Sequence, residues 1–399
     1  MMYEPDCVGI AAIASDMCAA LAEKGHEVTV YTSFPYYPQW KLAENATWRI
    51  KEETIQGVRV RRHWIFVPPN PSRIIPRLLH ELSFTLSLLR SLFWGKKQEV
   101  VMVFCPLMGA VVFAVLRKLW FRDSLWVNVQ DIPAEAATAS GILKSGRLTW
   151  LASKVQSLIM NRGDVWSSIS PAMVRQLERI KSDRIPIHCC PNWLTGSLRD
   201  QIGRVRSGKC SEGRAAPRLL YCGTIGKKQG LLELCQALSS KENEFELAIH
   251  GEGSEARTVQ SWVNESQDTR YNFGSLLSEL GFVDAIHNSD WFVIPQKSGV
   301  GSAFFPSKLI PCISIGTPII AITDGVGPLA EEVNENQLGL VIPWPEVATI
   351  PQRLAEVSND LASYKRLQEN CLKRARVYDR SGAIERIESL LLNIPTVEL

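Results

Sequence analysis

Residues 219–234 read LLYCGTIGKKQGLLEL, and this segment decides the fold class. The first four residues predict a buried strand, the stretch from Gly223 to Gly230 predicts a glycine-rich turn, and the leucines that follow predict the start of a helix. In such a strand–turn–helix unit, small residues let backbone N–H groups approach an anion. The helix dipole favours that anion, and a lysine adds positive charge. The segment does not match the P-loop consensus, and many turns of this kind bind nothing.

Short apolar strands alternate with helical patterns along the whole chain, which predicts an α/β fold with parallel sheets. In the front half, the pattern predicts strands at 26–32, 58–62, 100–104, 125–129 and 165–169, and helices at 13–23, 74–94, 108–120, 150–160 and 171–181. In the rear half, it predicts strands at 219–222, 245–250, 291–295, 318–322 and 338–342, and closing helices at 350–370 and 382–392.

The segment 196–217 is polar, charged and glycine-rich, which predicts an interdomain linker. We therefore predict two Rossmann-like domains, at 1–195 and at 218–375. The C-terminal helix, at 376–399, is predicted to pack back toward the first domain. Two doubly wound domains that face each other across a cleft bind ligands at the carboxyl ends of their strands.

Composition excludes several classes of protein. The 399 residues are 46% apolar and 21% charged, as in an ordinary globular protein, and the net charge of +3 is too small to indicate nucleic acid binding. The ten cysteines include no C-x-x-C pair, and residues 1–6 have no signal-peptide character. These features predict reduced thiols, no zinc site and a cytoplasmic protein.

Two apolar stretches bear on membrane contact. The first, at 100–116, is too short to span a bilayer and is interrupted by Pro106, so it predicts a strand, a turn and a helix. The second, Ile74–Trp94, is an apolar helix with basic residues in and around it. It suits an anionic membrane surface, whereas the alternative is a helix packed on a sheet. Both interpretations hold if one face of the helix packs on the sheet and the other contacts lipid. The protein would then be peripheral on the inner face of the plasma membrane.

Three further small-residue turns follow the same logic as the first. They are Gly251-Glu252-Gly253 after a strand, Gly9 before the first helix, and Ser307-Lys308, where the serine would cap a helix and the lysine would point into the cleft. Each alone is also compatible with a plain turn. Four such turns at predicted strand ends favour an anionic nucleotide ligand.

Asp131 is the carboxylate best placed for chemistry, because it comes just after the buried strand 125–129. The alternative is a helix or turn cap.

Taken together and in order, these motifs resemble glycosyltransferase family 4, which has the GT-B fold. Within that family they resemble the group assigned to colanic-acid and O-antigen synthesis, including proposed fucosyl- and N-acetylfucosaminyltransferases. The resemblance covers nearly the whole chain. Besides the turns above, it rests on these features: Gly9-Ile10, Gly25-His26-Glu27-Val28, Pro35-Tyr36-Tyr37-Pro38, Val129-Gln130-Asp131, Ile169–Met173, Pro191-Asn192-Trp193, Pro295-Gln296-Lys297 and Pro306–Leu309.

The resemblance implies a retaining, metal-independent transfer of a sugar from a UDP- or GDP-sugar to a lipid-linked saccharide acceptor, with no cofactor. It also implies that the domain at 1–195 is on the acceptor side and that the domain at 218–375 binds the nucleotide-sugar. Individual residues have implied roles as well. Lys228, with Gly223 in the same loop, would bind the diphosphate, and Gly9 would approach it from the front domain. Asp131 would lie beside the donor sugar as the catalytic residue. The other implied donor-binding residues are Gly251, Glu252, Gly253, Ser307 and Lys308.

Three departures from the family pattern matter. Thr224 stands where many members have an arginine for a phosphate. Pro311 stands where many have a glutamate for the ribose, a role that Glu331 or Glu332 would then take. The first strand of the front sheet is reduced to Met1–Tyr3 and is expected to be truncated. Two alternatives therefore stay open: a GT-B sugar-nucleotide 2-epimerase, and a degenerate subunit that binds nucleotide-sugar without transferring it.

Overall fold

The computed structural model describes residues 1–6, 9–37, 39–69, 74–93, 95–131, 147–205, 216–239, 244–299, 301 and 305–394. It divides into two compact units, both of α/β type. Unit 1 comprises Met1–Thr195 with Arg380–Leu399, and unit 2 comprises Gly196–Asp379.

Unit 1 contains two sheets. Its strands are β1 (Thr29–Ser33), β2 (Lys51–Ile55), β3 (Val58–His63), β4 (Val100–Cys105), β5 (Ser124–Val129), β6 (Val165–Ser168) and β7 (Ile187–Cys189). One sheet has the order β1-β3-β2 and the other has the order β4-β5-β6-β7. Residues 1–3 form no strand, although the Ser33 N–H donates to the Met1 carbonyl at 3.0 Å and Tyr3 is buried.

The described residues of unit 1 form six α-helices. They are α1 (Ile10–Glu23), α2 (Ile74–Leu89), α3 (Met108–Phe121), α4 (Arg147–Met160), α5 (Pro171–Glu178) and α14 (Arg380–Asn393). Helices α1 and α14 share a core with strand residues such as Val60 and Trp126. Phe84 of α2 and Phe113 of α3 belong to another core. Ser170 caps α5 by accepting from the Met173 N–H at 3.2 Å.

A carboxylate on α1 fastens α14 to unit 1. Asp16 accepts hydrogen bonds from the Arg380 guanidinium at 2.8–3.0 Å, and the Trp193 indole N–H donates to it at 2.7 Å. Ile384 and Ile387 of α14 are buried against α1. The last helix of the chain therefore completes the core of the first unit.

Unit 2 is built on one parallel six-stranded sheet with the order β10-β9-β8-β11-β12-β13. The strands are β8 (Arg218–Thr224), β9 (Glu246–Glu252), β10 (Tyr271–Gly274), β11 (Trp291–Pro295), β12 (Ile319–Thr323) and β13 (Gly339–Pro343). In chain order this is the 3-2-1-4-5-6 arrangement of a doubly wound fold, whose topological switch point lies between β8 and β11. The helices are α6 (Gly196–Val205), α7 (Leu231–Ser239), α8 (Ala256–Ser266), α9 (Glu279–Asn288), α10 (Leu309–Ile315), α11 (Pro328–Glu335), α12 (Ile350–Asn359) and α13 (Leu361–Ala375).

The predicted linker 196–217 is wrong over its first half. Residues 196–205 form α6, which packs on α9 and α10 within unit 2. Leu198, Ile202 and Val205 recur at helical spacing and give this polar segment one apolar face, on which Ile202 is buried. Residues 206–215 of the predicted linker lie outside the described residues.

The predicted helix 350–370 is two helices. Asp360 separates α12 from α13, and its side chain accepts from the Ser363 N–H at 3.1 Å, which makes it the N-cap of α13. An aspartate competes for nearby backbone donors, so the second helix starts afresh at this point.

The stretch 100–116 forms β4 and the first part of α3, as predicted. The Ile74–Trp94 prediction corresponds to α2 followed by a short 3-10 helix at Arg90–Leu92, and Trp94 lies outside the described residues. No helix in the described ranges has both the length and the apolar character to cross a bilayer.

A buried histidine makes unit 1 sensitive to acid. His63 is fully buried, with Nδ1 3.0 Å from the Ser87 carbonyl oxygen and Nε2 3.2 Å from the Ser91 hydroxyl. Burial lowers the pKa of His63 from 6.5 to about 4. Between pH 6.5 and pH 4, His63 is protonated in the unfolded chain but neutral in the folded chain. The free energy of unfolding therefore falls as the pH falls. We expect a loss of about 3 kcal/mol between pH 7 and pH 4.

Urea unfolding at a series of pH values measures this loss. His63→Gln should be less stable at pH 7 but should show a flatter dependence on pH. His80 is also buried and its pKa is also lowered by burial, so some slope remains in the variant. A slope in His63→Gln as steep as in the wild type would contradict the assignment.

Candidate functional site

The carboxyl ends of β8 and β9 approach so closely that three glycines are required there. Gly223 pairs with Gly251 across the two strands, and a Cβ added at Gly251 would lie 1.9 Å from the Gly223 carbonyl oxygen. A Cβ at Gly253 would lie 2.3 Å from the Ile225 carbonyl oxygen. Gly223 and Gly253 also have φ values of 140° and 150°, which residues other than glycine rarely adopt. This bare backbone edge is what an anionic ligand needs for close approach.

Lys308 places its ammonium group against the first of these glycines. A Cβ at Gly223 would lie 0.8 Å from the Lys308 Nζ, so the ammonium occupies the notch that the glycine leaves. The ammonium donates to the Cys222 carbonyl and lies 5.5 Å from the centre of the Tyr221 ring. Burial lowers the pKa of Lys308. The Lys308 ammonium is thus fixed at the carboxyl end of β8, beside the switch point of the sheet.

The loop between Gly223 and Gly230 is held from both sides. The Gly226 N–H donates to the Gln229 side-chain oxygen at 3.0 Å, and the Gln229 N–H donates to the Gly226 carbonyl at 3.1 Å. Two residues after the end of β11, the Lys297 N–H donates to the Lys228 carbonyl at 2.8 Å. This last bond joins the segments that follow β8 and β11, where a doubly wound sheet binds its ligand.

The remaining predicted donor-binding residues of unit 2 lie at the same edge. Glu252 ends β9 with its side chain exposed, and its carbonyl accepts from the Ile225 N–H at 2.8 Å. Ser307 is exposed just before α10. The expectation that Ser307 caps this helix is wrong, because α10 begins after Lys308 with no side-chain cap. The predicted cation beside it, Lys308, is the residue that reaches the strand end.

The structure distinguishes between the two glutamates proposed for the ribose. Glu332 is buried and its carboxylate is fully engaged: Arg374 donates to it at 2.6 and 2.9 Å, and the Tyr378 hydroxyl donates at 2.8 Å. Glu331 lies in the first turn of α11 and is only half-buried. Glu331 is therefore the better ribose candidate, since binding through Glu332 would break a buried ion pair.

One polar residue at this edge had no role assigned from the sequence. The Gln296 side chain directly follows β11 and is buried, and neither atom of its amide has a hydrogen-bond partner within the part of the chain that the structure describes. The backbone carbonyl of Gln296 accepts from the Trp344 indole N–H at 2.7 Å. The motif Pro295-Gln296-Lys297 pointed to the family but not to this feature, because burial of a glutamine cannot be read from spacing.

In unit 1 the predicted residues also follow strand ends. Gly9 is the N-cap of α1, with a φ of 58° and a ψ of −125° that favour glycine, and the space beside its Cα is open. Asp131 comes two residues after the end of β5 and is half-buried near the Cys105 thiol. Gln130 beside it receives a hydrogen bond from the Asn192 amide at 2.8 Å, so β5 and the segment after β7 share this edge. The predicted motif continues through 132–135, which lies outside the described residues.

Within the described ranges, no three His, Cys, Asp or Glu side chains gather as a metal site requires.

Comparison with known proteins agrees with this arrangement. Residues 8–193 match the family described as "Glycosyl transferase 4-like domain", and residues 212–374 match "Glycosyl transferases group 1". The chain is 28% identical over 335 residues to the protein of Escherichia coli (strain K12) described as "Putative colanic acid biosynthesis glycosyl transferase WcaI", and the match covers 79% of each chain.

Two solved structures illustrate the fold. Sucrose-phosphate synthase from Thermosynechococcus elongatus has a TM-score of 0.71 at 16% identity, with 96% of this chain and 92% of that chain covered. HepE from Anabaena, in complex with UDP and glucose, has a TM-score of 0.66 at 13% identity, with 98% of each chain covered. Both units are matched in order, as the motifs predicted, and the chain therefore belongs to glycosyltransferase family 4 and has the GT-B fold.

Proposed function

We propose that this glycosyltransferase moves a hexosyl or acetamidohexosyl group from a UDP- or GDP-linked sugar to a lipid-linked oligosaccharide acceptor. The observation that carries the donor half of the proposal is the Lys308 ammonium seated in the notch of Gly223. A fixed cation beside a backbone edge that carries no side chains suits a diphosphate, and it lies at the switch point where doubly wound sheets bind nucleotides.

The chemistry of the reaction fits these groups. Breaking the bond between sugar and phosphate develops positive charge on the sugar ring and negative charge on the departing diphosphate. Lys308, Lys228 and the backbone N–H groups of the glycine-rich loop would stabilise that negative charge more in the transition state than in the ground state. We propose that they do so without a metal ion and with retention of configuration at the sugar. Asp131 would lie beside the donor sugar, where a carboxylate stabilises positive charge on the ring.

The acceptor half of the proposal rests on relatives and on charge. The E. coli relative is described as acting in colanic acid biosynthesis, and we propose a related exopolysaccharide or O-antigen pathway for this chain. Lipid-linked acceptors of such pathways are presented at a membrane. A cytoplasmic enzyme that works at the inner face of the plasma membrane fits the basic surplus of residues 1–193, which contain 23 Lys and Arg and 16 Asp and Glu.

Thermal-shift and calorimetry measurements with UDP, GDP, their sugars and the monophosphates test the donor site. Ligand binding to the folded state raises stability by about 2.7 kcal/mol at a hundredfold excess over Kd. We expect a shift with one base only, and we expect Lys228→Ala to weaken it. Lys227→Ala, an exposed neighbour in the same loop, is the matched control and should leave the shift intact. No shift with any nucleotide would contradict the donor site. Donor turnover without an acceptor would instead favour the epimerase alternative.

A further inference from the structure

Three neighbouring helices of unit 1 expose an unusual number of large apolar side chains. Helix α3 packs against both α2 and α4, so the three helices form one layer. From α2, the exposed side chains are Ile75, Leu78, Leu79, Leu82 and Leu86. From α3 and α4, they are Leu116, Leu119, Trp120, Trp150, Val155 and Leu158. More than half of the exposed large apolar residues in the described chain lie on these helices. We call this surface the apolar face.

Each of the three helices also has a second apolar side, which is buried in the core of unit 1. Phe84 and Leu88 of α2, Phe113 of α3 and Met160 of α4 are buried, which satisfies the core. The outward side chains gain nothing from that packing: Ile75 is 72% exposed, and Leu119 and Trp120 are each 69% exposed. A helix that is apolar on both sides needs a second apolar environment, and a patch of this extent on a soluble protein marks an interaction site.

The charges around the apolar face are almost all basic. Exposed Arg77 and Lys154 project from the helices, and Lys96 and Arg122 flank them. The Lys154 Nζ lies 5.9 Å from the centre of the Trp150 ring, which pairs a cation with an interfacial aromatic residue. Glu81 is the only acidic residue within the three helices.

The acidic residues just after α3 and α4 are paired, and Glu99, which follows the exposed Lys96 and Lys97, is exposed. Asp123 is buried with Arg117, and Asp164 pairs with Lys118 at 2.5 Å. The apolar face therefore has a positive rim.

We propose that the apolar face binds the surface of an anionic lipid bilayer. Leucine, isoleucine and tryptophan side chains enter the boundary between headgroups and acyl chains, while the basic rim contacts lipid phosphates. A second copy of the chain is a poorer occupant, because a two-fold contact would place one basic rim against the other. The inference deepens the proposed function, on which it rests for its purpose: unit 1 would dock where a lipid-linked acceptor is presented.

Vesicle sedimentation of the full chain tests the proposal. We expect the protein to sediment with vesicles of phosphatidylcholine mixed with phosphatidylglycerol, and much less with phosphatidylcholine alone. Sedimentation should weaken as salt is raised, because the electrostatic part is screened. Equal binding to both vesicle types, or no binding to either, would overturn the proposal.

Two pairs of variants separate the contributions. Leu119→Gln with Trp120→Gln should weaken binding about a hundredfold, since each removes a side chain whose insertion is worth about tenfold or more. Lys96→Gln with Lys154→Gln should weaken it about 25-fold, from roughly fivefold per charge. The matched controls are Leu280→Gln with Leu392→Gln, which are also exposed leucines, and Lys365→Gln with Lys373→Gln, which are exposed lysines of unit 2. Controls that lose binding as strongly as the variants would overturn the proposal.

Two further measurements distinguish the failures. The nucleotide thermal shift should be unchanged in all these variants, because none of the substituted residues lies at the donor site. If the wild-type protein shifts with nucleotide but ignores vesicles, the bilayer proposal fails and the proposed function stands. Light scattering detects the other occupant: a dimer that Leu119→Gln with Trp120→Gln converts to monomer would show that the apolar face joins two copies.

Discussion

Lys308→Met is expected to lower kcat for sugar transfer by about 10²–10³-fold while the protein stays folded. The reason is the position of the ammonium group in the notch of Gly223, where we propose that negative charge develops on the leaving diphosphate. Removing one preorganised donor of this kind typically costs about 2.7–4 kcal/mol of transition-state stabilisation. Methionine keeps the length and apolar stem of the lysine but loses the charge. The measurement is the initial rate of transfer from the nucleotide-sugar identified by the binding panel.

Lys227→Met is the matched control for Lys308→Met, because Lys227 is an exposed lysine of the glycine-rich loop whose Gly223 the Lys308 ammonium contacts. It should change kcat by less than a few-fold. A pH profile adds an independent readout. Burial lowers the pKa of Lys308, and only its protonated form carries the charge, so kcat/KM of the wild type should decline at alkaline pH sooner than an ordinary lysine would allow. A Lys308→Met variant with wild-type kcat would exclude the residue from the reaction.

Asp123→Ala is expected to destabilise unit 1 by about 3–5 kcal/mol. Asp123 and Arg117 form an ion pair in which both side chains are fully buried, with Arg117 Nη2 2.7 Å from the Asp123 carboxylate. The other carboxylate oxygen accepts from the Gln98 N–H at 2.7 Å. Without the aspartate, a buried guanidinium has no counter-charge, and the Gln98 N–H loses its partner. Thermal unfolding should show a midpoint lower by roughly 10 °C, since 1 kcal/mol corresponds to a few degrees in a unit of this size.

Two controls show whether charge burial causes the loss in Asp123→Ala. Asp200→Ala removes the acid of an exposed pair with Arg199 and should change stability by less than about 1 kcal/mol. Arg117→Met combined with Asp123→Leu removes both charges and should recover most of the stability, because an apolar pair has no desolvation penalty. If the double variant is as unstable as Asp123→Ala, lost packing rather than an unpaired charge explains the effect.

Five of the six parallel strands of unit 2 were predictable because each contains a short apolar run. Trp291–Pro295 has the predicted bounds, and the other four shift by a residue or two or, as with the end of β8, extend into the following turn. Strand β10 was not predicted, because Tyr271–Gly274 is short and holds only two apolar residues. Strand β2 could not be predicted in this way. It is an antiparallel edge strand with a polar, largely exposed sequence, and its turn at Gln56-Gly57 uses positive φ at both residues. The periodicity of apolar residues predicts only strands with buried side chains, and β2 has no fully buried residue.

The candidate site was predictable in its glycines and less so in its side chains. Gly223 and Gly251 follow apolar strands, so their place at the sheet edge follows from topology. The contact of Lys308 with Gly223 joins residues far apart in the chain, and only the folded sheet shows it. The choice between Glu331 and Glu332 was equally hidden, because it depends on Arg374 and Tyr378 in a later helix and turn. Residues that meet across long separations leave no local pattern.

The ion pair between Asp16 and Arg380 has a consequence for synthesis on the ribosome. Unit 2 is one continuous segment, so it can fold as soon as it has emerged. Residues 1–195 of unit 1 emerge before unit 2, yet Ile384 and Ile387 of its core lie in α14, which is made after unit 2. Domains generally fold as units during translation. This first-made unit instead stays open along α1 until the second is complete, so its apolar surface is exposed for longest to chaperones and to aggregation.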